Sequence, residues 1–169
     1  LEDLGIPCVS RGDGNVFDTR EAWELSSVLS AWIHPGDLRR LRAALSSGAH
    51  GFDARALAAL GDDSFELSNF AERFAEYGRL WSQSGFSRAF EAWRAREGVT
   101  ERLLAYPDGD RRLTNWLHLA ELLARVASAR GPSPERPMFE GMISAVAVLG
   151  GLGLLFGGIL AIADRFFKV

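Results

Sequence analysis

"FELSNFAERFAEYGRLWSQSGFSRAFEAWRAR", residues 65–96, decides the fold. Leu67, Phe70, Phe74, Tyr77 and Trp81 recur at steps of three and four, and Phe86, Phe90 and Trp93 repeat the pattern beyond Gly85. Such spacing draws one apolar stripe along each of two amphipathic helices, broken at the glycine. Aromatic side chains of this kind can also stack on bases, but polar residues between them at helical spacing place these in a core.

Working outward, the same period continues on both sides. Glu21 stands three residues after Asp18, the spacing of a capping box, and Trp23, Val28 and Ile33 follow among the apolar positions of a helix over 19–33. "HPGD" (34–37) stops it, and Leu38, Leu41, Ala44 and Leu45 carry a second short helix. Gly48 and Gly51 bracket a break before the alanine-rich stretch 53–60. "YPDGD" (106–110) is a turn, after which Leu113, Trp116, Leu117, Ala120, Leu123 and Ala127 line the inward face of a long helix. At the front, "LGIPCVS" (4–10) reads as a helix end running into a short strand, followed by the turn "RGDGN". The expected fold class is mainly α: a bundle-like soluble domain over 1–129 with a short N-terminal strand near Cys8.

Composition narrows the function. A chain of 169 residues holds one modest domain and an appendage, and a formal net charge of −3 excludes a globally basic nucleic-acid binder while leaving room for a local patch. The single cysteine, Cys8, makes no disulfide framework or multi-cysteine metal site within the chain and reads as a small buried apolar residue. The chain starts at Leu1 without a secretory signal and reads as cut at its front. No GxxxxGK[ST] phosphate loop, HExxH or GxSxG occurs. Asp62, Asp63 and Glu66 in "GDDSFE" could hold a divalent ion, but a turn entering a capped helix carries the same residues. The chain is expected to bind no cofactor and to have no catalytic residue of its own.

Arg111 and Arg112 open the last long helix, where the helix dipole favours acidic groups. A phosphate contact would account for the pair, and so would a salt bridge to Asp108 or Asp110. Asn115, His118 and Arg125 surround the inward face of the same helix. His118 has only Glu121 near ligand spacing, which makes it a poor metal ligand.

Beyond Arg130 the character changes. "RGPSPERPMFEG" (130–141) is a proline-rich linker by composition, and residues 143–163 carry no charge. These 21 residues at helical rise span ~31 Å, the thickness of a bilayer's hydrocarbon core, and predict one glycine-rich transmembrane helix in a tail over 142–169. Gly153 and Gly157 form a GxxxG step that, with Gly150, would admit a transmembrane helix partner. Phe166, Phe167 and Lys168 suit an interfacial edge.

Two family resemblances overlie this reading. "LGIPCVSRGDGNVFDTREAWELSSVLSAWIHPGDLRRLRAALSSGAHG" (4–51) resembles UvrD-like DNA helicases, and "GDRRLTNWLHLAELL" (109–123) is similar to the RecB-type subunit of exodeoxyribonuclease V. The resemblance covers about 1–129 and implies a helical accessory region, of the 2B type, that lies over DNA and packs on the other helicase–nuclease subunits. Phe17, Glu21, Ala22, Pro35, Leu41, Arg42 and Leu45 would belong to its first half. Gly109, Arg111, Arg112, Leu113, Thr114, Asn115, Leu117, His118, Leu119, Glu121 and Leu122 would belong to its end. It implies DNA contacts at Arg111, Arg112, Thr114, Asn115 and His118, and a cytoplasmic site of action in recombination and repair. The ATP- and Mg-binding sites and the nuclease of such a parent lie outside this chain. The tail resembles the N-terminal membrane anchor of the B subunit of the Rnf electron-transport complex, which implies an inner-membrane location for 142–169 and, in the parent, iron–sulfur clusters absent here. A DNA module and an exported anchor conflict, so the tail reads as a segment of separate origin joined to a RecB-like fragment. The alternatives are an Rnf-type anchor, or a single-pass membrane protein with a helical interaction domain.

Overall fold

The computed structural model describes residues 19–61 and 64–130. Among these, the elements are α1 (Arg20–Ile33), α2 (Leu38–Leu45), α3 (Ala54–Ala59), α4 (Phe65–Ser84), α5 (Phe86–Arg96), α6 (Val99–Leu104) and α7 (Gly109–Arg130). The starts of α1 to α4 are written in short polar side chains that satisfy otherwise orphaned amides. Thr19 Oγ1 accepts from the Ala22 amide at 3.3 Å, Asp37 Oδ1 from Arg39 at 3.0 Å, Asp53 Oδ1 from Ala56 at 2.7 Å and Ser64 Oγ from Leu67 at 3.1 Å. Gly85, at φ 87°, turns the chain between α4 and α5 in a backbone region that side-chain-bearing residues avoid.

The four longest helices close a ring: α1 packs on α4 and α7, and α5 packs on the same two. α2 lies against α1, and α6 bridges α5 and α7. Aromatic rings fill the interior. Trp93 of α5, fully buried, stands 5.8 Å from Trp32 of α1, 5.5 Å from Phe90 and 5.4 Å from Trp116 of α7, ring centre to ring centre. Trp32 in turn meets Tyr77 and Trp81 of α4 at 5.5 and 6.3 Å. Tilted and edge-on contacts of this kind add to the burial of large apolar area. The close approach of α1 to α4 requires Gly78, since a Cβ there would lie 2.4 Å from the Trp32 carbonyl oxygen.

The loop between α2 and α3 crosses this core. His50 is 5 % exposed, with its ring 5.3 Å from that of Phe74 and 5.7 Å from that of Trp93. The Trp93 indole N–H donates to His50 Nε2 at 3.4 Å, so the proton of the neutral imidazole belongs on Nδ1, 3.4 Å from Ser47 Oγ. Arg102 of α6 fastens the loop by donating to the carbonyls of Ala49 at 2.6 Å and Glu97 at 2.9 Å.

The expected fold class is corrected in two parts. Among the described residues every element is a helix, there is no strand, and no helix is long and apolar enough to cross a membrane. The strand near Cys8 and the transmembrane helix over 143–163 are withdrawn from the fold class; both fall outside the described residues, as do Asp18, Asp62, Asp63, residues 131–141 of the linker and Gly150, Gly153 and Gly157. Two inward assignments also change. Trp23 is 50 % exposed on the side of α1 opposite Leu25 and Val28, and Leu117 is 40 % exposed at the edge of the α7 stripe. The alanine-rich segment forms α3, which buries no residue.

Candidate functional site

The start of α7 meets the start of α1, and the meeting is polar. Glu21 sits in the first turn of α1, where an acidic group suits the helix dipole, yet it is 1 % exposed. A carboxylate so removed from water needs partners. Asn115 Nδ2 donates to Glu21 Oε2 at 3.1 Å, and Arg111 Nη2 lies 3.6 Å from Oε1. Arg111 also donates to Asp108 Oδ2 at 2.5 Å, while Arg112 Nε donates to Asp108 Oδ1 at 2.6 Å. Hydrogen bonds from Arg111 and then Arg112 hold the Asp108 carboxyl below its ordinary range. The Arg112 guanidinium lies 4.3 Å from the centre of the Tyr106 ring, a cation–π contact that fixes the turn before α7.

Gly48 marks where a second pair joins. A Cβ at this position would come 3.2 Å from Glu24 Oε2 and 3.3 Å from Arg112 Nη1, so the α2–α3 loop is threaded between these two charged groups. Glu24 Oε1 accepts from Arg20 Nε at 2.8 Å. Gly109 is more tightly constrained, because a Cβ would lie 2.6 Å from the Leu103 carbonyl oxygen and block the turn from α6 into α7. The spacing G-x-R-R-x-x-N thus has a local reason at each position: close backbone approach, two cations for Asp108, and one amide for the buried Glu21.

The five positions expected to contact DNA separate into two groups. Asn115 and Arg112 are turned to neighbours within the fold, and the Thr114 hydroxyl donates to the Asp110 carbonyl at 2.7 Å. Arg111 and His118 are exposed, and Arg111 shares its charge between two carboxylates. Of the two explanations open for the arginine pair, the salt bridge to Asp108 is present. Sequence reasoning missed Glu21 as the hub: in the first turn of a helix a glutamate reads as a solvated dipole partner, and its burial depends on α7, ninety residues away in the chain. Among the described residues no group of His, Cys, Asp or Glu side chains is placed to hold a metal ion.

A second polar centre braces the opposite side of the bundle. Arg73 Nε donates to Glu97 Oε1 at 2.9 Å and the Tyr77 hydroxyl donates to the same oxygen at 2.7 Å. Burial opposes the charge on Glu97, but these bonds and the Arg73 charge outweigh it and the carboxyl lies below its ordinary range. Burial first, and then the bond to Glu97, push the Tyr77 phenol above its ordinary value. This arrangement ties α4 to the α5–α6 turn and offers no open position for a reactant.

No family model matches the chain. Curated proteins do match. The similarity is to RecB. The chain is 33 % identical over 129 residues to the RecBCD enzyme subunit RecB of Haemophilus influenzae, covering 76 % of the chain and 11 % of that protein. It is 34 % identical over 121 residues to the Escherichia coli subunit, covering 71 % and 10 %, and 31 % identical over 131 residues to that of Mycolicibacterium smegmatis, covering 75 % and 11 %. About three quarters of the chain is therefore RecB-like, and it spans about a tenth of the length of these relatives. No relative found supports the Rnf resemblance of residues 142–169, and the membrane partner expected from it is dropped.

Proposed function

We propose that this chain is a helical accessory module of a RecB-type DNA helicase and nuclease subunit, contributing to DNA recombination and repair by packing on neighbouring subunits and facing DNA. It acts in the cytoplasm and performs no chemistry alone; ATP and Mg²⁺ would bind elsewhere in a longer protein. The observation that carries this reading is the RecB similarity together with the fate of its most specific segment. Residues 109–115 are the joint that closes the bundle onto α1, as a module kept for its shape requires.

The side chains at the start of α7 serve that joint first. Arg111 and His118 are the two of the five expected positions that can still reach a phosphate, though Arg111 offers one little net charge while Asp108 and Glu21 hold it.

The test is a transplant. Replacing the matching segment of the Escherichia coli relative with this chain's should leave a chimera that assembles with the other subunits of its enzyme and unwinds DNA. A chimera that resists limited proteolysis yet neither assembles nor unwinds DNA would remove the accessory-module reading.

A further inference from the structure

The exposed arginines of the bundle fall into two classes. Arg20, Arg39, Arg96, Arg111 and Arg125 each lie within 4.0 Å of a carboxylate, at 2.8, 3.8, 2.5, 2.5 and 2.5 Å. Arg55, Arg79 and Arg88 have no such partner among the described residues; Arg55 stands alone on α3, whereas Arg79 and Arg88 flank the Gly85 corner from α4 and α5. No Asp or Glu occurs between Tyr77 and Phe90. The other side chains exposed there are neutral: the Ser82 hydroxyl donates to the Gly78 carbonyl at 3.0 Å, and Gln83, Ser84 and Ser87 are further hydrogen-bonding groups. Beneath them Trp81 and Phe86 are buried with ring centres 5.1 Å apart, which fixes the corner on the core.

We propose that this α4–α5 corner is the surface by which the module meets the phosphate backbone of single-stranded DNA, with Arg79 and Arg88 as the contacting cations. The proposal rests on the DNA-facing reading given above and moves its main contact away from α7. A paired arginine must give up its carboxylate to receive a phosphate, whereas these two give up only water. Serine and glutamine side chains add neutral donors of the kind that commonly bind phosphate oxygens. Contacts of this sort position a strand without reading its sequence.

The measurement is fluorescence anisotropy of a fluorescein-labelled oligothymidylate titrated with the full chain over a salt series. The Arg79→Gln/Arg88→Gln double variant and, on α3, Arg55→Gln are titrated beside it. Each lost phosphate contact flattens the slope of log affinity against log salt by about 0.7, so the double variant should lose about 1.4 while Arg55→Gln keeps the parent slope. None of the three side chains is ion-paired within the described residues, so helical circular dichroism and unfolding midpoints should not change. An unchanged slope in the double variant overturns the proposal, as does a slope lost in Arg111→Gln instead. If the parent chain shows no salt-dependent binding at all, the DNA-facing reading falls with it.

Discussion

Trp93→Ala should remove about 3–5 kcal/mol of stability, enough to leave a domain of this size barely folded. Trp93 is fully buried and touches the rings of Trp32, His50, Phe90 and Trp116, so its truncation opens a cavity where α1, the α2–α3 loop, α5 and α7 all converge. The His50 ring would also lose the indole N–H that its Nε2 accepts. Urea denaturation followed by circular dichroism measures the loss. Trp93→Phe, which keeps a ring but not the donor, should recover part of it. A Trp93→Ala variant within 1 kcal/mol of the parent would mean that the four helices do not share one core.

The second large effect is on pH. Burial, above all, lowers the His50 pKa from its ordinary 6.5 to about 4, with Glu97 favouring the cation and Arg102 opposing it. The native state holds the imidazole neutral while the unfolded chain protonates it from about pH 6.5 downward. Between these values the unfolded state binds more protons, so stability rises with pH. The stability present above pH 6.5 is lost progressively as pH falls toward 4, by about 3 kcal/mol in all. Glu97, whose carboxyl is lowered, loses its own contribution only as the pH falls below the ordinary carboxylate range. Denaturation midpoints taken between pH 5 and 7 therefore isolate His50, and His50→Gln should flatten the dependence there. A parent chain equally stable at pH 5 and pH 7 would contradict the buried, neutral imidazole.

The bundle was legible wherever its cause is local. The stripes from Leu67 to Trp81 and from Phe86 to Trp93 announce buried faces, because helical spacing alone decides which side chains line up. What local pattern could not show is which distant element arrives on a given face. Trp23, opposite the buried side of α1, and Leu117, at the edge of the α7 stripe, are apolar residues that the fold leaves exposed. His50 sits in a glycine-flanked loop that would ordinarily be solvated, and only the crossing of that loop over Phe74 and Trp93 buries it. For Arg111 and Arg112 the sequence left a phosphate contact and a salt bridge to Asp108 or Asp110 both open, and only the fold selects Asp108, three and four residues earlier, which pairs with both. Conversely, Arg79 and Arg88 drew no notice in the sequence, since an arginine without a partner becomes visible only once the other ion pairs have been drawn.

The joint between α1 and α7 is the center of this account, and a double-mutant cycle between Glu21 and Asn115 tests it most directly. Glu21→Ala, Asn115→Ala and the double variant should be unfolded in urea at neutral pH beside the parent. Their side chains meet at 3.1 Å with the carboxylate buried, so the two losses should fall short of additivity by about 1–2 kcal/mol. Additivity within about 0.5 kcal/mol would show that the segment 109–115 does not hold the bundle to α1.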